Sequence, residues 1–277
     1  MNILLTNTNT DYIRDLYNVL TKLNQSLYMW TPQHQSIYAI LDNDIKIDYL
    51  FCESLYINQT LLNAIKEYNI KTVVFGLTDN FEQKVLTCID ADMSKKISGH
   101  ITSPIYIIEP AANIVVVPTI PEFDVLYICD KFNETEIKNL YELQKSNIQF
   151  KIIGKFKLPF IEYVGNVDTV YRLALCKAAK ITILNNKEYI YDIAINKKMG
   201  IISQDNDIYP TFTSPTNLLE QVEHYLKNEK QMLSIGKAAY QKAIQNTYYH
   251  CASKIFQQLN LNELSEQCLT QLSKVLV

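Results

Sequence analysis

The 277-residue chain sets 26 Lys and Arg against 29 Asp and Glu, for a net charge of −3, and holds only six Gly and six Cys. That balance leaves no broad basic surface for a nucleic-acid backbone. Six glycines form neither G-x-G-x-x-G nor G-x-x-x-x-G-K-[ST], which removes the usual dinucleotide and P-loop signatures. Arg14 and Arg172 are the only arginines, so bidentate phosphate clamps are scarce.

The elements follow in chain order. Asn2–Thr6 reads as a strand followed by a polar turn. Tyr12, Leu16, Val19, Leu20 and Leu23 then recur at helical spacing. Leu27–Trp30, Ile47–Cys52 and Lys71–Phe75 read as strands, with helices expected over Ser36–Leu41 and Leu61–Tyr68. This alternation predicts an α/β domain on a parallel sheet. The middle is less regular: a helix is expected over Phe81–Cys88, and strands over Pro104–Glu109 and Asn113–Val117. Pro118 and Pro121 mark a domain boundary near residue 120.

Alternation then restarts. Phe123–Cys129 is a strand, Glu134–Gln144 a helix capped by Asn133, and Gln149–Ile153 a strand ending at Gly154. A helix over Val167–Ala179 leads to strand Ile181–Leu184, helix Ile190–Asn196 and strand Gly200–Ser203. Helices are expected over Thr216–Leu226, Glu229–Gln245 and Tyr248–Leu259, with a final amphipathic one over Leu261–Val277. The expected architecture is α/β: two Rossmann-like domains, 1–120 and 121–260, facing a cleft, plus a C-terminal helix at 261–277. Ligands would meet the loops at the C-terminal strand ends.

No signal-peptide pattern or membrane span is expected, because prolines and Glu109 break the most apolar stretch. The cysteines show no C-x-x-C pair and no clustered His, which reads as buried thiols in a reducing, cytoplasmic compartment. No metal-ligand spacing is present, and no cofactor is called for.

In the second half the order of parts is distinctive. Asp124–Cys129 is followed by Phe150-Lys-Ile-Ile-Gly154-Lys155, Tyr163-Val-Gly165-Asn166-Val167, Cys176-Lys-Ala-Ala179, Ile181–Asn185, Asp192–Ser203 and Asn246-Thr247-Tyr248. Over roughly residues 120–260 this resembles the C-terminal domain of GT-B-fold glycosyltransferases, in the branch similar to spore-maturation glycosyltransferase-like proteins. The resemblance implies a nucleotide-diphosphate sugar on the second domain and a glycan or protein acceptor on the first. Closure would exclude water, and cations and helix N-termini would meet the developing diphosphate charge. It also implies that an acid at the start of the Asp192 helix binds the ribose hydroxyls. The motifs are degenerate: Asp192 stands where Glu is common, Lys197 where a small Gly is usual, and Leu184 where some members have a second acid. The diphosphate arginine has no counterpart near Cys129 or Thr135.

On this resemblance, Lys131 and Lys155 are candidates for phosphate, Asn166, Asp168 and Arg172 for the nucleotide base, and Asn185, Glu188 and Asp192 for the rest of the donor. On the acceptor side Asp11 and His100 are candidate bases, since an inverting transfer needs one near neutral pKa. Each has a structural alternative: solvated lysines, helix caps, an Arg172 ion pair, an acid favoured by a helix dipole. Tyr127 is read as core. Two functions stay open: sugar transfer from a nucleotide donor, or a catalytically inactive GT-B-like binding or scaffold subunit, oligomeric through the C-terminal helix.

Overall fold

In a computed structural model, residues 1–6, 11–43, 45–75, 84–89, 105–108, 111–112, 114, 117–129, 133–154, 162–185, 187 and 189–276 are described. The chain packs as two compact units, Met1–Glu109 with Tyr248–Val277, and Pro110–Thr247. Each is built on its own sheet.

The first unit begins with β1 (Asn2–Thr6), α1 (Asp11–Leu20), β2 (Ser26–Trp30), α2 (Tyr38–Leu41) and β3 (Tyr49–Glu53). It continues through α3 (Gln59–Glu67), β4 (Lys71–Phe75), β5 (Lys84–Ile89) and β6 (Ile105–Ile108). Strand order is β2-β1-β3-β4-β5-β6. The strands β2, β1, β3 and β4 are parallel; β1, β3 and β4 carry near-continuous apolar runs because both faces are covered, whereas the edge strand β2 is partly exposed. Leu4, Leu5, Leu50, Phe51, Val73 and Val74 are fully buried.

The chain departs from the expected pattern at β5. Phe81–Cys88, expected as a helix, contributes Lys84–Ile89 to a strand antiparallel to both β4 and β6. Val85, Leu86, Thr87, Cys88 and Ile89 are apolar or β-branched, and two sheet neighbours satisfy their backbone groups. The sheet is therefore mixed rather than wholly parallel. In the expected strand Asn113–Val117, the described residues Ile114 and Val117 are not in a strand, and the local pairing is a single bridge from Ala112 to Thr247.

The second unit runs β7 (Phe123–Cys129), α4 (Glu134–Gln144), β8 (Phe150–Gly154), β9 (Tyr163–Gly165), α5 (Thr169–Ala178) and β10 (Ala179–Leu184). After these come α6 (Ile190–Ala194), β11 (Met199–Ile202), α7 (Pro215–Lys227) and α8 (Glu229–Ala243). All five strands are parallel, in the order β11-β10-β7-β8-β9. Strand β9 is not among the strands expected from the sequence; three residues with one glycine carry little periodicity, and pairing with β8 decides their state. The Asn133 cap agrees with the sequence: its Oδ1 accepts from the Glu136 amide at 3.0 Å. Ser214 Oγ caps α7 by accepting from the Asn217 amide at 3.1 Å, with Pro215 opening the helix.

Helices α9 (Tyr248–Gln258) and α10 (Asn262–Val275) fall in the first unit, whereas the sequence divides them between the second domain and a separate tail. Burial explains the difference. Tyr248, Tyr249, Cys251, Ala252, Ile255 and Phe256 give α9 a wide apolar face, which packs on α1 while α10 packs on α9.

Two glycines fix the backbone at the carboxyl edge of the second sheet. Gly165 has φ +123, a conformation other residues rarely adopt. Gly154 ends β8 so close to β7 that a Cβ there would lie 1.9 Å from the Cys129 carbonyl oxygen. Gly154→Ala is expected to cost about 1–3 kcal/mol through overpacking. A lowered Tm in a thermal melt would agree, and an unchanged Tm would contradict the close approach.

Candidate functional site

In the second unit the chain lays down β7, β8 and β9 in one direction, then returns to the other side of β7 for β10 and β11. The carboxyl ends of β7 and β10 thus flank the point where strand order reverses, where open α/β sheets form their ligand crevice. Cys129 and Leu184 end the two strands, and half-buried Asn185 follows β10 directly. Of the sequence candidates, Asn185 lies at this reversal. Lys131, Lys155 and Glu188 lie outside the described residues.

Asn185 belongs to a polar cluster on the face of the sheet that α4 covers. The Tyr127 hydroxyl donates to Glu136 Oε2 at 2.5 Å and lies 3.2 Å from Asn185 Oδ1. Asn139 Nδ2 donates to the same phenolic oxygen at 3.0 Å. Glu136 also hydrogen-bonds the Asn185 side chain. Tyr127, Glu136 and Asn139 are buried, and Asn139 Oδ1 has no hydrogen-bond partner. Burial raises the Glu136 carboxyl above its ordinary value, against the lowering effect of bonds from Tyr127 and Asn185. Burial and the neighbouring Glu136 push the Tyr127 phenol well up. Sequence reading placed Tyr127 in the core and passed over Glu136 and Asn139. A signal existed: Glu136, Asn139, Leu140 and Leu143 share one helical face, so two polar residues stand on the side of α4 that must be buried.

The opposite face of the sheet holds the other buried charges. Arg172 Nε donates to Asp192 Oδ2 at 2.8 Å, with side chains only 8% and 9% exposed. The guanidinium stacks over the Tyr189 ring, 4.1 Å from its centroid, and donates to Thr169 Oγ1 at 3.4 Å. These two sequence candidates are therefore brought together as a buried ion pair. Asn166 and Asp168 are exposed in the β9–α5 connection, where Asp168 Oδ1 caps α5 by accepting from the Tyr171 amide at 2.8 Å.

In the first unit Asp11 opens α1, and its side chain is not among those described. His100 lies outside the described residues. At the carboxyl ends of β1 and β3 stand Thr6 and Glu53, both buried. A cavity of about 260 Å³ beyond β2 and β3 is lined by Trp30, Gln33, Gln35, Tyr56, Asn58 and Thr60 among others, with no charged side chain in its wall. Cys52, Cys129, Cys176, Cys251 and Cys268 are buried. Burial pushes the Cys52 and Cys268 thiols up to about 12, so neither is a nucleophile near neutral pH. Among the described residues no group of three His, Cys, Asp or Glu could hold a metal ion, and no helix is long and apolar enough to cross a membrane.

Breaking the buried pair leaves an uncompensated charge. Asp192→Asn is expected to lower the unfolding free energy by about 3–5 kcal/mol, and the double change Arg172→Met with Asp192→Leu by less. Urea unfolding measures both. A single variant within about 0.5 kcal/mol of the parent would contradict the pairing.

No protein-family model and no curated protein matches the chain by sequence. Solved structures do resemble it. A UDP-GlcNAc 2-epimerase from Neisseria meningitidis, bound to UDP-GlcNAc, is 9% identical with a TM-score of 0.53, the match covering 99% of this chain and 100% of that one. The spinosyn forosaminyltransferase SpnP is 8% identical with a TM-score of 0.53, covering 94% and 99%. MnaA from S. aureus, in a structure with UDP, is 9% identical with a TM-score of 0.51, covering 94% and 97%. At such identity the likeness is one of fold, and the chain has the GT-B-like fold, with two Rossmann-like α/β units.

Proposed function

We propose that the protein binds a nucleotide-diphosphate sugar on its second unit and transfers the sugar to a glycan or protein acceptor. The observation that carries this reading is the strand reversal between β7 and β10, with the polar side chain of Asn185 set at its edge. Proteins of the same fold have been solved with UDP and with UDP-GlcNAc.

In this reading Lys131 and Lys155, next after the sheet's β7 and β8 in sequence, balance the diphosphate charge that develops as the glycosidic bond to phosphate breaks. Asn166, Asp168 and Arg172 border the nucleotide base. Asn185 and Glu188 line the donor, and Asp192 faces the ribose. The anomeric carbon passes to an acceptor oxygen, whose proton goes to Asp11 or His100 as base. The uncharged wall of the cavity beyond β2 and β3 suits a hydroxyl-rich acceptor such as a glycan. The buried Cys52, Cys176 and Cys268 thiols are in keeping with a reducing, cytoplasmic setting.

A second reading has its own observation. The carboxylate proposed for ribose is buried and already engaged by Arg172, whose guanidinium stacks on Tyr189. That is what a GT-B-like scaffold or binding subunit that has lost its donor site would show, and such a subunit would assemble through α10.

Thermal shifts with uridine, guanosine and cytidine diphosphates and their sugars separate the two. A donor site predicts stabilisation that grows with ligand excess, about 2.7 kcal/mol at a hundredfold excess over Kd. Lys155→Ala is expected to abolish the shift without lowering the Tm of the free protein. No shift with any of these ligands at millimolar concentration would leave the scaffold reading.

A further inference from the structure

The buried cluster at the reversal is short of hydrogens for its acceptors. A phenol carries one hydrogen to donate and two lone pairs to accept with. The Tyr127 oxygen accepts from Asn139 Nδ2, while its single hydrogen has two acceptors in reach: Glu136 Oε2 at 2.5 Å and Asn185 Oδ1 at 3.2 Å. Both cannot be served at once. When Glu136 is ionised, the phenol donates to the carboxylate in a charge-assisted bond, and Asn185 Oδ1 is left open. When Glu136 is protonated, its own hydroxyl donates to the remaining lone pair of the phenolic oxygen. The phenolic hydrogen then turns to Asn185 Oδ1.

We propose that Glu136 is a positioning residue that, through the single hydrogen of Tyr127, determines whether Asn185 Oδ1 meets a hydroxyl of a nucleoside-diphosphate ligand with both lone pairs open or with one already engaged. This rests on the nucleotide-sugar reading of the second unit and names one of its working parts. Asn185 is half-buried and directly follows β10 at the strand end. The ligand prefers ionised Glu136. Affinity therefore rises with pH through the Glu136 titration, which burial holds above the ordinary glutamate range, and binding below that point releases protons.

Among the described residues, few charged groups lie close to Glu136. From β7 the neighbours are the Tyr127 phenol and the Cys129 thiol close to it. From β10 the neighbour is Asn185, and α4 itself contributes Asn139. On α7, which packs against α4, Glu220, Glu223 and His224 are exposed. The Glu134–Lys138 pair also lies on the solvent side of α4.

The test measures affinity for UDP and for UDP-GlcNAc by calorimetry from pH 4.5 to 8, in buffers of differing ionisation enthalpy. The parent protein is expected to bind more tightly as pH rises, by about 3- to 10-fold, the worth of one hydrogen bond, with proton release at the acid end. Dependence with both ligands assigns the hydroxyl to the nucleotide, and dependence with UDP-GlcNAc alone assigns it to the sugar. Two variants move in opposite directions. Glu136→Gln keeps a donor to the phenol at every pH and is expected to bind weakly with a flat profile. Tyr127→Phe removes the competing hydrogen and is expected to bind as the parent does at high pH, also flat. A cluster that served only for packing would weaken binding in both variants and leave the profile sloped. A flat profile in the parent, without proton release, overturns the inference while leaving donor binding intact, and needs no variant to fold. Failure of both ligands to bind at any pH would instead overturn the donor reading and this inference with it.

Discussion

The position of β7 between two parallel neighbours governs the second unit. Val125, Leu126 and Tyr127 are fully buried, so every backbone group of this strand must find its partner within the sheet. It does so by pairing with β8 on one side and β10 on the other. Those pairings require the chain to run out through β8 and β9 and then come back across. The reversal lies at the carboxyl edge, where open α/β sheets form their ligand crevices. Gly154 belongs to the same constraint: β8 can end beside Cys129 only with a residue that has no side chain.

Around that strand the unit carries two buried polar assemblies, one on each face of the sheet, and they behave differently. Arg172 and Asp192 neutralise each other on the side of α5 and α6, beside Tyr189 and the apolar cluster that includes Leu175 and Ile193. Such a pair gives little net stability compared with apolar residues of equal volume, but it is costly to break, so it fixes how α6 sits on α5. The Tyr127, Glu136, Asn139 and Asn185 group, beside Leu140 and Leu143 under α4, has no cation among its described members and fewer hydrogens than its acceptors could use. It also reaches the edge of the sheet through Asn185. A closed pair and an open network are consistent with one structural role and one that communicates with a ligand.

Much of the fold was legible in the sequence because parallel strands buried on both faces leave unbroken apolar runs. Lys71–Phe75 and Phe123–Cys129 appear in the structure with the ends the sequence suggests. Asn133 and Asp168 could be read as helix starts for the same local reason, a side-chain oxygen beside an unpaired amide. What failed depended on partners distant in sequence. The strand at Lys84–Ile89 exists because β4 and β6 lie beside it, and α9 joins the first unit because α1 offers it an apolar surface. In the site, Asn185 was legible from its place after a strand. Glu136 was not, because an acid in the first turn of a helix ordinarily points to solvent and its inward turn depends on Tyr127, nine residues earlier. Nor could the sequence show that Arg172 and Asp192, twenty residues apart, would meet.

The central claim is that a nucleoside diphosphate binds at the carboxyl ends of β7 and β10. Hydrogen–deuterium exchange with and without UDP tests it most directly, because amides that bind phosphate or fall under the ligand exchange more slowly. Peptides spanning residues 129–135 and 184–189 are predicted to gain protection, with little change across β2 and α10. Protection confined to the first unit, or none at saturating UDP, would contradict the account.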